Sequence, residues 1–176
     1  FGGPWFNSTM QEDLICVNIT RAAANAADRA QLTQAECRMR EDAYKLVALL
    51  RKLYPEFAKA SIAEIAAQGG VRETYHIRGL YTLSGADILG GAPCADGVAF
   101  CSHPVDIHSA QDNTQTAQYF DTPCPVPYRV MVAAGFDNLI AAGRCVSCVD
   151  EAYASMRVQG TCMAIGEAAG VAAAMR

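Results

Sequence analysis

Apolar residues recur at intervals of three and four between residues 39 and 54, which is the period of one helix face. The members of this stripe are Met39, Ala43, Leu46, Val47, Leu50, Leu53 and Tyr54. Thr33 and Glu36 have the spacing of a capping box, and Pro55 cannot continue a helix. We therefore expect one long amphipathic helix that begins near Thr33 and ends before Pro55.

Patterns typical of strands occur on both sides of this helix. Residues 14–20 form a strand-like run rich in Ile and Val. Residues 62–68 and 71–83 flank Gly69 and Gly70, and apolar side chains alternate along the second of these runs. The simplest interpretation of that pattern is a hairpin with its turn at the two glycines.

A short helix is predicted next. Ser84 is followed three residues later by Asp87, which is cap spacing, and Gly90 and Gly91 would end the helix. Residues 92–128 contain no Lys or Arg and five of the seven prolines. We expect this stretch to be mostly irregular, and irregular segments on a rigid frame are where functional sites tend to lie.

The C-terminal part contains compact apolar runs. Residues 126–133 and 138–142 are short enough for buried strands. Residues 160–175 predict an Ala-rich helix in which Gly166 and Gly170 share one face. The predicted fold class is therefore α+β: a long amphipathic helix and a small, mostly antiparallel sheet, followed by a strand and a helix.

Composition and charge narrow the class of protein. The 176 residues are 52% hydrophobic, enough for one domain, or at most one and a half, with a real core. The formal net charge of −4 offers no basic surface for a phosphate backbone, so we expect no nucleic-acid partner. The longest uncharged stretch, residues 1–11, is shorter than the roughly 20 apolar residues of a membrane span, so we expect no membrane partner.

The start of the chain and its cysteines bear on its context. The sequence opens with Phe1 instead of Met and has no apolar leader core, so we expect it to be part of a longer protein. Its eight cysteines are irregularly spaced in a long, core-rich chain, which favours reduced thiols over a disulfide framework. We therefore expect a cytoplasmic setting.

Nucleotide fingerprints are missing from the sequence. Neither Gly-x-Gly-x-x-Gly nor Gly-x-x-x-x-Gly-Lys-Ser/Thr occurs, so this chain cannot form a standard dinucleotide site by itself. A helix that starts near Gly160, Thr161 and Cys162 would present free backbone N–H groups and a positive dipole end. Such an end suits an anionic or electron-rich group; plain packing of a last strand and helix is the alternative.

A family resemblance is carried by two C-terminal segments. They read Asp-Asn-Leu-Ile-Ala-Ala-Gly-Arg-Cys-Val-Ser over residues 137–147 and Ser-Met-Arg-Val-Gln-Gly-Thr-Cys-Met-Ala-Ile-Gly-Glu-Ala-Ala-Gly over residues 155–170. Both resemble the closing segment of a family of FAD-dependent oxidoreductases. Further matches follow in the family's order at residues 53–57, 70–74, 79–83 with Asp87, 104–108 and 127–129.

The resemblance implies a domain organisation. In that family a Rossmann-like FAD-binding unit begins near the N terminus, is interrupted by a substrate-side domain, and is completed by the terminal strand and helix. Residues 1–133 would then be substrate-side, and residues 134–176 would be the closing strand, loop and helix of the FAD-binding domain. The partner it implies is the missing N-terminal Rossmann half, without which we do not expect this chain to retain FAD.

The resemblance also implies cofactor-binding residues. Gly143 and Arg144 would lie beside the ribityl and pyrophosphate groups of FAD, and Arg157 near the isoalloxazine ring. The helix start at Gly160 would direct the N–H groups of Thr161 and Cys162 toward the pyrimidine carbonyl. The alternative role for Arg157 is structural. It would form an ion pair with Asp150 or Glu151 in the same loop.

Three residues are candidates for catalysis or for substrate binding. His108 is one, because Asp106 lies two residues earlier on an extended segment and shares its face, where it would orient or charge the ring. Arg72 and Arg129 are candidate anchors for an anionic or carbonyl-bearing small-molecule substrate. The alternatives are a surface-loop histidine and ordinary structural ion pairs.

Cys145 and Cys148 form a Cys-x-x-Cys pair, the spacing of a redox pair or of half a zinc site. No second such pair is present, so packing is the favoured interpretation and no metal site is predicted. The resemblance implies a flavoprotein oxidoreductase that passes a hydride between a small organic substrate and FAD. The alternative is a thiol-rich binding or interaction domain that binds no flavin.

Overall fold

The chain has an α+β fold of helices and small antiparallel sheets. The structure is a computed structural model and describes residues 4–91, 94–109 and 114–175. It divides into two compact units, one formed by described residues up to 71 and the other by residues 72–109 and 114–175. In the described ranges, no helix is both long and apolar enough to cross a membrane.

The first unit begins with a two-stranded hairpin. Strands β1 (Trp5–Ser8) and β2 (Ile15–Asn18) pair antiparallel, with Trp5 opposite Asn18 and Ser8 opposite Ile15. The strand predicted within residues 14–20 is confirmed. All residues of both strands are exposed, so this hairpin has no buried face, although the Phe6 ring lies 5.9 Å from the Phe57 ring, centroid to centroid.

Helix α1 (Arg29–Leu53) follows the hairpin. The prediction that it begins near Thr33 is wrong, because the Asp28 side chain accepts hydrogen bonds from the second and third backbone N–H groups and caps the helix one turn earlier. The Thr33 hydroxyl lies inside the helix and donates to the Arg29 carbonyl at 2.8 Å. The predicted end before Pro55 is confirmed, and a 3-10 turn at Pro55–Phe57 follows.

The hairpin predicted across residues 62–83 is wrong. Residues 71–83 form no regular strand, and their backbone hydrogen bonds go to residues 129–149 instead of to residues 62–68. The Ile77 N–H donates to the Cys145 carbonyl at 2.8 Å, and that of Leu83 to the Ser147 carbonyl at 3.1 Å. Alternating apolar positions could not identify the partner of this segment.

Helix α2 (Gly85–Gly90) has the predicted bounds. The Ser84 and Asp87 side chains form a complete capping box, in which each accepts from the other's backbone N–H. Gly91 ends the helix in the left-handed region, with φ of 59°, which only a residue without Cβ adopts cheaply. The short-helix prediction is therefore confirmed.

Four strands occupy the stretch that was expected to be mostly irregular, which corrects that expectation. Strand β3 (Gly97–Cys101) pairs antiparallel with β6 (Cys124–Pro127), and β4 (Val105–His108) pairs antiparallel with β5 (Gln115–Gln118). Of the prolines that the structure describes in this stretch, Pro104 and Pro123 lie between strands, and Pro125 and Pro127 lie within β6. Parts of this stretch, residues 92–93 and 110–113, lie outside the described residues.

The two apolar runs near the C terminus are less regular than predicted. The first enters β6 and then a 3-10 turn at Tyr128–Val130. The second forms only an isolated antiparallel bridge, Val132 with Ile140, instead of a strand over residues 138–142. Two flanking hydrogen bonds, from Ala133 N–H to the Leu139 carbonyl and from Ala141 N–H to the Met131 carbonyl, hold this bridge.

Helices α3 (Asp150–Met156) and α4 (Gln159–Ala174) close the chain, and the predicted C-terminal helix is confirmed. Helix α3 packs against β4, and α4 packs against β3. These contacts enclose the core of the second unit, whose largest fully buried side chains are Leu83, Ile88, Val126, Val130, Met131, Val146 and Ile165. The core thus fixes the end of α3 beside β4.

Candidate functional site

The carboxylate of Asp106 joins three polar side chains in the second unit. Asp106 and His108 lie two residues apart on β4 and share a face, and His108 is the register partner of Gln115 on β5. The His108 Nε2 atom lies 2.8 Å from Asp106 Oδ2, and Gln115 Nε2 donates to Asp106 Oδ1 at 2.6 Å. The Asp106–His108 contact anticipated from the sequence is therefore present.

Arg157 reaches the same carboxylate from another element. It is the C-cap residue of α3, and its Nη2 donates to both the Asp106 carbonyl and Asp106 Oδ2, each at 3.0 Å. The alternative prediction, an ion pair of Arg157 with Asp150 or Glu151, is wrong. Packing of α3 on β4 directs the Arg157 side chain to Asp106, 51 positions away in the sequence. We call Asp106, His108, Gln115 and Arg157 the Asp106 cluster.

The Asp106 cluster keeps its carboxylate ionised. Burial by itself would raise the pKa of Asp106, since its side chain is only 15% exposed. The hydrogen bonds from Gln115 and His108 and the positive charge of Arg157 outweigh burial and lower that pKa. An ionised Asp106 only accepts hydrogen bonds, so its contacts require Nε2–H on His108.

The residues carried over as flavin ligands lie on two further segments. Gly143 opens a 3-10 turn, Gly143–Cys145, with φ of 83°, and no heavy atom lies within 4 Å of the position of an added Cβ. Arg144 Nη1 donates to the Arg72 carbonyl at 3.0 Å, and the Tyr153 hydroxyl donates to the same carbonyl. Arg72 therefore contacts Arg144 and Tyr153 through its backbone carbonyl, and the residue itself is exposed.

The start of α4 differs by one residue from the predicted one. The helix begins at Gln159, and the Cys162 N–H donates to the Val158 carbonyl at 3.0 Å, which closes the first helical turn. Cys162 is therefore not among the N–H groups that a helix start leaves without an intrahelical acceptor, whereas Gly160 and Thr161 are. An added Cβ at Gly160 would meet no heavy atom within 4 Å.

Arg129 is held by a neighbouring carboxylate. Its Nε and Nη2 donate to Asp96 Oδ2 at 2.8 Å and Oδ1 at 3.2 Å, a two-point contact that also lowers the pKa of Asp96. The guanidinium lies over the Tyr81 ring, 5.0 Å from its centroid. These contacts favour the structural ion pair for Arg129 over the substrate anchor.

Cys145 and Cys148 point to different partners. Cys145 is exposed and its thiol donates to the Ala142 carbonyl at 3.4 Å, whereas the buried Cys148 thiol lies 3.6 Å from His76 Nδ1. Burial, with the charge of Glu73 nearby, raises the pKa of Cys148 to about 12, which leaves it a neutral packing group. Among the residues that the structure describes, no three His, Cys, Asp or Glu side chains gather in a metal-binding group.

Two polar contacts were not expected from the sequence: that of His76 with Glu73 and that of Gln115 with Asp106. His76 Nε2 lies 2.7 Å from Glu73 Oε1, and its Nδ1 lies 2.8 Å from the Val146 carbonyl. The spacing of Glu73 and His76 was a weak signal, because these residues lie outside any regular element. Gln115 was missed because its role depends on the register of β4 with β5.

A family profile described as FAD dependent oxidoreductase matches residues 4–176, nearly the whole chain. No curated protein and no solved structure matches. The profile confirms the resemblance noted in the sequence.

Proposed function

Because the chain belongs to the family of FAD-dependent oxidoreductases, we propose that it is part of a flavoenzyme that passes a hydride between a small organic substrate and FAD. The observation that carries this proposal is the convergence of His108 and Arg157 on Asp106. His108 was a catalytic candidate because of its spacing from Asp106, whereas the family resemblance implied that Arg157 lies near the flavin. Their contact supports a single site.

The residues present fit a flavin dinucleotide. The left-handed backbone at Gly143 and the open space at Gly143 and Gly160 allow close approach of a ligand to the backbone. The N–H groups at the start of α4 and the guanidinium of Arg144 provide positive potential for phosphate or carbonyl oxygens. Bound FAD would supply the hydride-accepting centre, the chemistry that protein side chains lack.

We assign different tasks to the members of the Asp106 cluster. His108 takes or returns the substrate proton, and its Nε2 contact with Asp106 orients the ring. Asp106 is a positioning residue that holds the ring, and Gln115 holds Asp106. Arg157 contributes positive charge that favours electron-rich states of a bound ring system. Arg72 remains the candidate substrate anchor.

We further propose that the Gly-rich pyrophosphate turn belongs to a separate N-terminal Rossmann half. The exposed face of α4 supports this arrangement, since it carries Met163 at 73% exposure together with Gly166, Gly170 and Val171. Small and apolar side chains on one helix face suit close packing against another element. All eight cysteines are free thiols, which supports a cytoplasmic location.

The visible spectrum of the full-length protein that contains this chain tests the proposed function. We expect stoichiometric FAD, recognised by the absorption of oxidised flavin, that bleaches on anaerobic reduction. The isolated segment 1–176 should lose the flavin on gel filtration, because it lacks the Gly-rich turn. A full-length protein that is purified colourless and stays flavin-free after incubation with FAD would rule out the enzyme and favour the thiol-rich binding domain.

A further inference from the structure

Two cysteines outside the Asp106 cluster face each other across a strand pair. Cys101 at the end of β3 is the direct antiparallel partner of Cys124 at the start of β6. Residues directly opposite in such a pair point to the same side of the sheet. Both side chains are buried, with exposures of 0% and 2%. They are therefore held together, inside the fold, by backbone register.

The geometry of this pair is that of a bridgeable one. Opposed residues of antiparallel strands have Cα atoms about 4.5–5.5 Å apart, inside the range of about 4.4–6.8 Å that disulfides span. The Cys101 thiol lies 3.6 Å from the Cys124 carbonyl, and the Cys124 thiol lies 3.3 Å from the Asp87 carbonyl. We propose that Cys101 and Cys124 form an internal cross-strand disulfide when the protein meets a small-molecule disulfide such as oxidised glutathione.

The reaction is two successive thiol–disulfide exchanges. The thiolate of one cysteine attacks oxidised glutathione, forms a mixed disulfide and releases one glutathione thiolate. The second cysteine then attacks the protein sulfur of that mixed disulfide and releases the other glutathione. The two protein thiols lose two protons and two electrons, and the oxidant gains both electrons and becomes two molecules of reduced glutathione.

Burial decides when this reaction proceeds. Burial raises the pKa of Cys101, and burial together with the neighbouring Cys101 raises that of Cys124 to about 12. The closed fold therefore holds almost no thiolate at this pair and shields it from the oxidant. Exchange requires transient separation of β3 from β6, and the finished bond is shielded from reductants once the strands close again.

The location of the bond gives it a consequence for the candidate site. The segment between Cys101 and Cys124 carries Asp106, His108 and Gln115. A bond between its ends would join the base of the β4–β5 hairpin covalently, in addition to the β3–β6 pairing. Cys145 and Cys148 differ from this pair, because Cys145 is exposed and Cys148 is buried.

Thiol mapping of the full chain tests the proposal. The folded protein is incubated with oxidised glutathione at increasing urea below the unfolding transition, blocked with N-ethylmaleimide, digested without reduction and analysed by mass spectrometry. We expect a linked Cys101–Cys124 peptide, with two of this chain's eight thiols lost, that accumulates faster as urea opens the strands. Reduction of this link in the absence of urea should be slow.

Variants provide the matched controls. Cys101→Ser and Cys124→Ser should each abolish the link, whereas Cys16→Ser, on an exposed strand of the first unit, should leave it unchanged. The wild-type map decides the question even if a buried variant fails to fold. Full labelling of both Cys101 and Cys124 at every urea concentration, or linkage of either to another cysteine, would overturn the proposal.

Discussion

The two units differ in what holds their secondary structure. In the described part of the first unit, Ala35 is the one buried apolar residue, and side chains such as Trp5 and Leu49 stay exposed. The second unit contains the rest of the buried apolar core. The bounds of α1 are therefore set by local interactions, with Asp28 as its cap and Pro55 after its end. The segments around the Asp106 cluster depend instead on long-range packing.

The largest expected effect is a contrast between two leucines. Leu83 in the second unit is 1% exposed and Leu49 in the first unit is 47% exposed. Leu83→Ala should lower the free energy of unfolding by about 2–5 kcal/mol, and Leu49→Ala by about 1 kcal/mol or less, because only the first leaves a cavity. Urea unfolding of both variants measures the difference. Equal losses would mean that the two units do not differ in packing as described.

The difference between local and long-range stabilisation also explains which elements were predictable from the sequence. Helix α1 and the α2 capping box depend on neighbours within a few residues, and both were predicted, apart from the choice of Thr33 over Asp28 as the cap. Residues 71–83 take their hydrogen-bond partners from residues 129–149, and no local pattern encodes that choice.

The candidate site follows the same division. The Asp106–His108 contact spans two residues of one strand and was anticipated from period-two alternation. The Arg157 contact joins elements 51 positions apart and depends on how α3 packs against β4. Strands β3 to β5 were missed, and β6 was predicted only in its second half by the run at 126–133, because a Pro-rich sequence without Lys or Arg has the composition of a loop.

The next effect is expected from Asp106→Asn. Loss of the charge that accepts from His108 and Arg157 should cost about 1–3 kcal/mol of stability at pH 7. The pKa of Asp106 is lowered in the fold, so its contribution is complete above the unfolded pKa of about 3.9 and is lost as pH falls through the folded value. The wild type should therefore lose stability below about pH 4 more steeply than the variant.

Asp42→Asn is the control for that experiment in the first unit. Asp42 pairs with Arg38 and Lys45 on the surface of α1, so its loss should change stability at pH 7 by about 0.5 kcal/mol or less. Unfolding curves at a series of pH values give both results. An acid limb of unchanged slope in Asp106→Asn would show that the carboxylate is not held as described.

Helix caps should behave alike in both units, because capping is local. Ser84→Ala removes the capping box of α2 and should cost about 1 kcal/mol. Asp28→Ala removes the cap of α1 and should reduce helical circular dichroism through fraying of the first turn. Asp28→Ser, which keeps a side-chain acceptor, should restore the signal. An Ala variant with unchanged helicity would mean that α1 does not depend on its cap.

The flavin midpoint potential tests the central claim, that the Asp106 cluster lies at the flavin of a flavoenzyme. In the full-length protein, Arg157→Met should shift the potential negative by roughly 10–40 mV, because a positive charge that favours reduced flavin is lost. Asp106→Asn should shift it positive, and Arg129→Met, whose arginine is bound to Asp96, should leave it unchanged. A titration in which Arg157→Met gives no shift, or a positive one, would contradict the account.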